Sequence, residues 1–167
     1  MPFNRTDYYV RRPAGNAMPS QCAQNTGVLY KATVNHGDGN LTEFPLVDCV
    51  ADFQVVFRLD MDEDGTIGTS ANADGSTVSS SEGANVATVQ ATLADAALLR
   101  QRLKEIRIYI IAHEGQLDAT YTSASTITMD DIGGIGAFKV FDFAALGISR
   151  NYRWKLYTLV VTPTNLR

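Results

Sequence analysis

The sequence has no long apolar run and no excess of positive charge. Its longest wholly apolar stretches are short, such as residues 108–112. A membrane-spanning helix needs about 20 apolar residues. Lys and Arg number 14 against 18 Asp and Glu, which leaves a net charge of −4. Binding to nucleic acid or to an anionic membrane depends on a basic field. We therefore expect no nucleic-acid partner and no membrane contact by this chain itself.

Histidine is scarce, and the motifs of common enzymes are missing. The two histidines, His36 and His113, have no nucleophile motif beside them. No G-x-S-x-G, H-E-x-x-H or phosphate-binding loop occurs. The glycine-rich segment at residues 133–136 has no strand–turn–helix context that would favour phosphate binding. These absences predict a protein that is not an enzyme, with no catalytic residues and no organic cofactor.

Only two cysteines are present, Cys22 and Cys49, and the segment between them has the pattern of a β-hairpin. Two β-type runs, residues 27–34 and 41–47, flank a Gly/Asn/Asp cluster at residues 35–40. Because a hairpin brings its ends together, we expect the two cysteines to form a disulfide. A disulfide favours a location outside the cytosol. The alternative is a pair of buried free thiols in a cytosolic protein.

The remaining pattern predicts an α+β domain with an antiparallel β-sheet, one short helix and long loops. The helix is expected at residues 88–104, where apolar side chains recur at three- and four-residue spacing. Residues 60–87, rich in Asp, Gly, Ser and Asn, are expected to form a long acidic and Ser-rich loop. No linker divides the chain, which predicts a single domain over residues 1–167. Further strands are expected at residues 8–12, 50–59, 105–112, 125–129, 137–141 and 152–162.

The strand expected at residues 105–112 alternates, with Ile106, Ile108 and Ile110 on one face. We expect that face to contribute to the hydrophobic core, beneath the apolar side of the helix. Strand side chains point to opposite faces in turn, so not every apolar residue of this segment can point inward.

The sharpest local motif is an acidic run, Asp-Met-Asp-Glu-Asp-Gly-Thr, at residues 60–66. Carboxylates at alternate positions followed by glycine resemble the first half of an EF-hand calcium loop. Calcium is a hard cation that takes about six to eight oxygen ligands. The candidate ligands are the carboxylates of Asp60, Asp62 and Asp64 and the backbone carbonyl of Thr66. Calcium is accordingly the candidate cofactor.

The acidic run departs from an EF-hand in its second half. Ala71 occupies the twelfth position, where a bidentate Glu is expected. Asp74 or Glu82 could supply the missing oxygens. The alternative interpretation is a solvated acidic turn without an ion.

Four segments, taken in order, resemble one protein family. They are residues 22–35, which include Cys22 and TGVLYKATVN, residues 46–57 (LVDCVADFQVVF), residues 99–115 (LRQRLKEIRIYIIAHEG) and residues 151–161 (NYRWKLYTLVV). They resemble the C-terminal globular part of the PilW family of type IV pilus minor pilins, which is similar to the pseudopilin J of type II secretion. The resemblance covers most of the chain and includes no catalytic signature.

The resemblance implies a pilin-like globular domain. Its function would be that of a non-enzymatic structural and assembly subunit of a type IV pilus or pilus-like filament, at assembly initiation or at the tip. Its partners would be other pilins or minor pilins, and its location extracellular or periplasmic. Family members begin with a signal and a long apolar helix that this sequence lacks. We expect that helix either to have been removed or to lie on a separately encoded chain. The second hypothesis is an extracellular calcium-stabilised binding or adhesin domain without a filament role.

Overall fold

The computed structural model describes residues 5–14, 18–130 and 137–164, apart from the side chains of residues 130 and 137. Within these ranges the chain is mostly antiparallel β-sheet with two helices, which confirms the predicted α+β class at this level. No helix of the described residues is long and apolar enough to cross a membrane.

The strands and helices of the described chain follow one another in a fixed order. They are β1 (Thr6–Arg11), β2 (Gly27–Val34), β3 (Leu41–Leu59), β4 (Thr69–Asn72), β5 (Thr77–Ser80), α1 (Val86–Ala94), α2 (Ala96–Arg102), β6 (Leu103–Glu114), β7 (Thr126–Asp130), β8 (Ala137–Asp142) and β9 (Arg153–Val161). Strands β1 to β5 pair in chain order, β6 pairs with both β3 and β9, and β7 pairs with β8.

The chain divides into two compact units. The first comprises Met1–Phe53, Ile110–Ile127 and Phe141–Tyr157, and the second comprises Gln54–Tyr109, Thr128–Val140 and Thr158–Arg167. Strands β3 and β6 are long enough to contribute residues to both units. The expectation of a single domain over residues 1–167 stays a prediction.

The first unit contains the β2–β3 hairpin, which a disulfide closes at its base. Cys22 and Cys49 are joined, with their Cα atoms 4.9 Å apart, so the predicted disulfide is present. The register shifts where Gly27 faces Val50 and Leu29 faces Val47, which marks a β-bulge in β3. Cys49 lies in this bulge with a positive φ of 57°.

The core of the first unit combines a small aliphatic cluster with an aromatic one. Leu29, Val50 and Ala112 are buried together. The His113 ring lies 4.2 Å from the Tyr152 ring and 4.9 Å from the Trp154 ring, measured between centroids. The backbone N–H of Ala23 donates to His113 Nε2 at 3.0 Å. This bond fixes the residue next to Cys22 against the end of β6.

The second unit packs two short helices against β3, β4 and the start of β6. Its buried core consists of Leu59, Ala71, Val89 and Leu103. The expectation of a single helix is wrong, because α1 ends at Ala94 and the next residue, Asp95, has an extended backbone. The Asp95 carboxylate accepts hydrogen bonds from the N–H groups of residues 97 and 98 and so starts α2.

Residues 60–87 are not one long loop, because they contain β4, β5 and the start of α1. β4 pairs with β3, with Leu59 opposite Thr69 and Val56 opposite Asn72. Thr69, Ser70 and Ala71 are buried. The prediction failed here because two of the three buried residues, Thr69 and Ser70, are polar, so the segment shows no apolar alternation.

Strand β6 is covered on both faces in the described structure. Ile106, Ile108 and Ile110 are half-buried, whereas Tyr109 and Ile111 on the alternate face are fully buried. The predicted face of β6 is therefore partly buried, and the opposite face, with Tyr109 and Ile111, is buried more completely.

Candidate metal-binding site

The turn that follows β3 brings carboxylates together. Asp60, Asp62, Asp64 and Glu82 each offer one oxygen, and these oxygens all lie within 4.8 Å of one another. Three of the predicted ligands therefore meet, together with Glu82, one of the two candidates for the missing oxygens. The other candidate, Asp74, accepts hydrogen bonds from the N–H and the hydroxyl of Ser76 and does not belong to this cluster.

Asp60 is the innermost member of the cluster, with a fully buried side chain. Its Oδ1 accepts the N–H of Asp64 at 3.1 Å, and its Oδ2 accepts the N–H of Gly65 at 3.0 Å. The ammonium of Lys104 lies 3.2 Å from Oδ2. The backbone N–H of Asp60 donates to the carbonyl of Arg102 at 2.9 Å, which attaches the start of the turn to the end of α2.

The pKa of Asp60 lies below its ordinary value. Burial by itself would raise this pKa, but the hydrogen bond from Lys104 and the N–H of Gly65 favour the charged form and outweigh it. The carboxylate is therefore ionised at neutral pH and available as a ligand for a cation.

The turn itself is held by short-range hydrogen bonds. Asp64 Oδ1 accepts the N–H of Thr66 at 2.7 Å. Glu63 and Gly65 have positive φ values of 63° and 93°. Gly65 thus provides the sharp turn expected of it, and an added Cβ there would meet nothing within 4 Å. The carbonyl of Thr66 as a ligand stays a prediction.

Glu82 reaches the cluster from the segment after β5. Its Oε1 accepts the N–H of Met61 at 3.2 Å, and its Oε2 accepts the hydroxyl of Thr69 at 2.6 Å. A Cβ at Gly68 would collide with the Glu82 side chain, so glycine at this position leaves room for the carboxylate. No ligand spacing in the acidic run singles out Glu82 over Asp74, since Glu82 reaches the turn only through the β4–β5 hairpin.

The acidic cluster could hold a metal ion. Calcium–oxygen distances are about 2.3–2.6 Å, so ligands on opposite sides of the ion lie about 5 Å apart. The carboxylate oxygens all lie within 4.8 Å of one another, so a single cation could contact all four residues. Four carboxylates against the single ammonium of Lys104 leave negative charge that a divalent cation would neutralise.

A second group of metal-ligating residue types lies in the first unit. Cys22, Cys49 and His113 offer ligand atoms within 4.8 Å of one another. The two sulfurs are joined in the disulfide, so they offer no thiolate to a metal. Burial lowers the pKa of His113, with the backbone of residues 114 and 115 opposing that effect in part. These residues form a structural cluster of the core.

Comparison with protein-family models, with curated proteins and with solved structures finds no match to this chain. The resemblance to PilW-family minor pilins therefore rests on the four sequence segments alone. Fold and site define an α+β protein with one disulfide and a carboxylate cluster able to hold a metal ion.

Proposed function

We propose that this chain is the globular part of a PilW-like minor pilin, a non-enzymatic subunit of a type IV pilus or pilus-like filament. One observation carries the proposal. The segments that resemble the family correspond to β2, to β3, to α2 with β6, and to β9. These strands are consecutive partners, because β2 pairs with β3, β3 with β6, and β6 with β9.

Consecutive pairing supports the resemblance because it links segments that are far apart in the sequence. Similarity that arose from composition alone would have no reason to select strands that are neighbours in a sheet. The disulfide belongs to the same framework, since Cys49 lies within β3 and Cys22 precedes β2.

Both units carry exposed apolar side chains that subunit packing would bury. In the first unit, Tyr8 of β1 and Phe44 and Leu46 of β3 are exposed. In the second unit, Leu159 and Val160 of β9 are exposed. Exposed apolar side chains are often found at surfaces that bind other proteins. Other pilins or minor pilins are the proposed partners, in the periplasm or outside the cell, where a disulfide persists.

The metal ion that we propose for the acidic cluster is calcium. Calcium would bind Asp60, Asp62, Asp64 and Glu82, with the carbonyl of Thr66 and water completing the shell, and would stabilise the folded chain. A cavity of about 730 Å³ shares Gly65 and Lys104 with this site, so an ion would also fix part of the cavity wall.

Thermal unfolding with millimolar calcium against EDTA tests the calcium proposal. At a free calcium concentration ten times Kd the folded state gains about 1.4 kcal/mol, a measurable rise in Tm. We expect Asp62→Asn with Asp64→Asn to abolish the rise. Asp74→Asn is the control, since it removes a nearby carboxylate that lies outside the cluster. A Tm that calcium does not move would leave a solvated acidic turn.

In-frame deletion of the coding sequence, in the organism that encodes this chain, tests the filament proposal. We expect surface filaments, counted by electron microscopy of negatively stained cells, to disappear and to return with a wild-type copy. An empty vector is the control. Gold-labelled antibody against the chain should mark the filaments of the complemented strain.

The second candidate is an extracellular calcium-stabilised binding or adhesin domain without a filament role. The buried Asp60 within a cluster of four carboxylates favours it, since this cluster has no counterpart in the segments that carry the pilin resemblance. Wild-type filament numbers after the deletion, with the chain recovered free from the medium, would support this candidate and contradict the first.

A further inference from the structure

The turn between β2 and β3 carries a motif that neither the fold nor the filament role uses. Residues 38–42 are Asp-Gly-Asn-Leu-Thr, so Asn40-Leu41-Thr42 is an Asn-x-Thr acceptor sequence for N-glycosylation. The sequence contains this pattern at one other place, residues 4–6, of which Asn4 lies outside the described residues.

Asn40 lies at the exposed tip of the hairpin. β2 ends at Val34 and β3 begins at Leu41, and residues 35–46 are all exposed. Gly39 has a positive φ of 72°, and an added Cβ there would meet nothing within 4 Å. A transferase must bring the asparagine amide to its own active site, and an exposed turn with open space around it meets that requirement.

The tip is held by hydrogen bonds that leave the acceptor accessible. The N–H of Asn35 donates to the carbonyl of Asn40 at 2.8 Å, and the N–H of Gly39 donates to the carbonyl of Asn35 at 2.8 Å. These bonds involve the backbone of the turn, and the Asn40 side-chain amide bonds to the Asp38 carboxylate within the same turn.

Asp38 adds a charged group two residues before the acceptor. Its Oδ1 accepts the N–H of Asn40 at 3.0 Å. Hydrogen bonds from the backbone and from the side-chain amide of Asn40 lower the pKa of Asp38, which keeps this exposed carboxylate ionised. A transferase with a cationic acceptor groove could bind this carboxylate and so position Asn40. A glycosylated amide retains one N–H, so the side-chain bond to Asp38 and a glycan are compatible.

The disulfide places the acceptor in a suitable compartment. The Cys22–Cys49 bond closes the hairpin whose tip carries Asn40. Disulfides persist in exported proteins, and N-glycans are attached to surface loops of such proteins.

We propose that Asn40 is an N-glycosylation site, with Thr42 and Asp38 as the recognition residues beside it. The donor would be an oligosaccharide linked to a lipid pyrophosphate, and an oligosaccharyltransferase would catalyse the transfer. The Asn40 Nδ2 forms a bond to the anomeric carbon of the sugar. The bond from that carbon to the pyrophosphate oxygen breaks, the lipid pyrophosphate leaves as its anion, and the proton lost by the amide passes to a base of the transferase and from there to water.

The test incubates the folded, disulfide-bonded full chain with a purified bacterial oligosaccharyltransferase and a lipid-pyrophosphate-linked oligosaccharide of known mass. Intact-mass spectrometry should show the addition of one glycan, and peptide mapping should place it on Asn40. We expect Asn40→Gln to remove the glycan. Thr42→Val should also remove it, whereas Thr42→Ser, which keeps the hydroxyl, should retain it. Asp38→Ala should lower the yield.

Several outcomes would overturn the proposal. They are an unmodified wild-type chain, a glycan that persists in Asn40→Gln, and modification only after the chain has been reduced and unfolded. An undiminished yield in Asp38→Ala would contradict the role given to Asp38. The substituted residues are exposed, so each variant should still be folded at the assay temperature, which its Tm checks. A loss of glycan can then be assigned to recognition.

Discussion

The carboxylate of Asp60 is buried and meets three hydrogen-bond donors, two of them backbone N–H groups and the third the ammonium of Lys104. Because the pKa of this carboxyl is lowered, the free energy of unfolding depends on pH under acidic conditions. The stabilisation is complete above the ordinary pKa of Asp, about 3.9, and is lost as the pH falls through the lowered pKa of the folded state. Acid therefore weakens this turn only below about pH 4.

We expect Asp60→Asn to lower the free energy of unfolding by about 1–3 kcal/mol in EDTA, because Lys104 loses its anionic partner and a buried hydrogen-bond pattern is disrupted. Asp62→Asn is the matched control. Asp62 is exposed, so its change in EDTA should stay within about 0.5 kcal/mol. Urea unfolding followed by circular dichroism measures both. Equal losses in the two variants would contradict the structural role of Asp60.

His113 introduces a second pH dependence, nearer to neutrality. Burial between Tyr152 and Trp154 holds the pKa of His113 below its ordinary value. Below the pKa of the unfolded state, about 6.5, the unfolded chain therefore binds more protons than the folded chain. Stability from the neutral imidazole is complete above that pH and falls as the pH drops. A proton on Nε2 would also displace the N–H of Ala23.

We expect the Tm of the wild type to be lower at about pH 5 than at about pH 8, and the difference to shrink in His113→Phe. The phenyl ring can pack between the two aromatic rings but has no proton to bind. The variant should be less stable at both pH values, because it leaves the N–H of Ala23 without its acceptor. Thermal melts at the two pH values measure this. An undiminished difference would assign the pH dependence to other groups.

At the scale of single elements, the first turn of α1 is stabilised by the residue before it, Asn85. The Asn85 side chain accepts the N–H of Thr88 at 3.0 Å, and the Thr88 hydroxyl accepts the N–H of Asn85 at 3.1 Å, which forms a capping box. α1 buries Val89 and Thr92, so fraying of its first turn would reach the core of the second unit.

We expect Asn85→Ala to lower the free energy of unfolding by about 1 kcal/mol, through loss of the cap. Asn85→Asp keeps the acceptor oxygen and should cost much less. Denaturant unfolding distinguishes the two. An alanine variant as stable as the aspartate variant would show that the cap contributes little.

The elements that the sequence predicted well are those whose residues carry a local pattern. Apolar alternation and the Gly/Asn/Asp turn identified β2 and, as two separate strands at residues 41–47 and 50–59, the two parts of β3. The cysteines at the base of the hairpin allowed the disulfide to be inferred. The missed elements depend on tertiary contacts. β4 and β5 are mainly Thr and Ser, and β4 is buried because it pairs with β3. The break between α1 and α2 was also missed, because Asp95 fits into a continuous helical pattern. In the structure its carboxylate caps α2.

The candidate metal-binding site was likewise predictable only where its residues lie close together in the sequence. Asp60, Asp62 and Asp64 lie within five residues, so their convergence followed from the turn that Gly65 allows. Glu82 was only one of two alternatives, because its position depends on the β4–β5 hairpin that the sequence did not reveal. The contact between Lys104 and Asp60 was missed altogether, since it joins β6 to the end of β3.

For the molecule as a whole, the disulfide is the strongest single constraint on the unfolded chain. It closes a loop of 27 residues, which the chain-entropy model values at about 3.5 kcal/mol. We expect Cys22→Ser with Cys49→Ser to reduce stability by about this amount. Guanidinium unfolding of this variant and of the wild type, each with and without reductant, measures it. Reductant should reproduce the loss in the wild type and leave the variant unchanged.

The same bond also limits how far the chain can be stretched. A polypeptide pulled from its ends lengthens by about 3.4 Å for each residue released. The Cys22–Cys49 bond bypasses 27 positions, so it withholds about 90 Å of contour length from an applied force. In a filament under tension, the hairpin would therefore remain a closed loop while the residues outside it extend. Single-molecule pulling before and after reduction would reveal the withheld length as an added step.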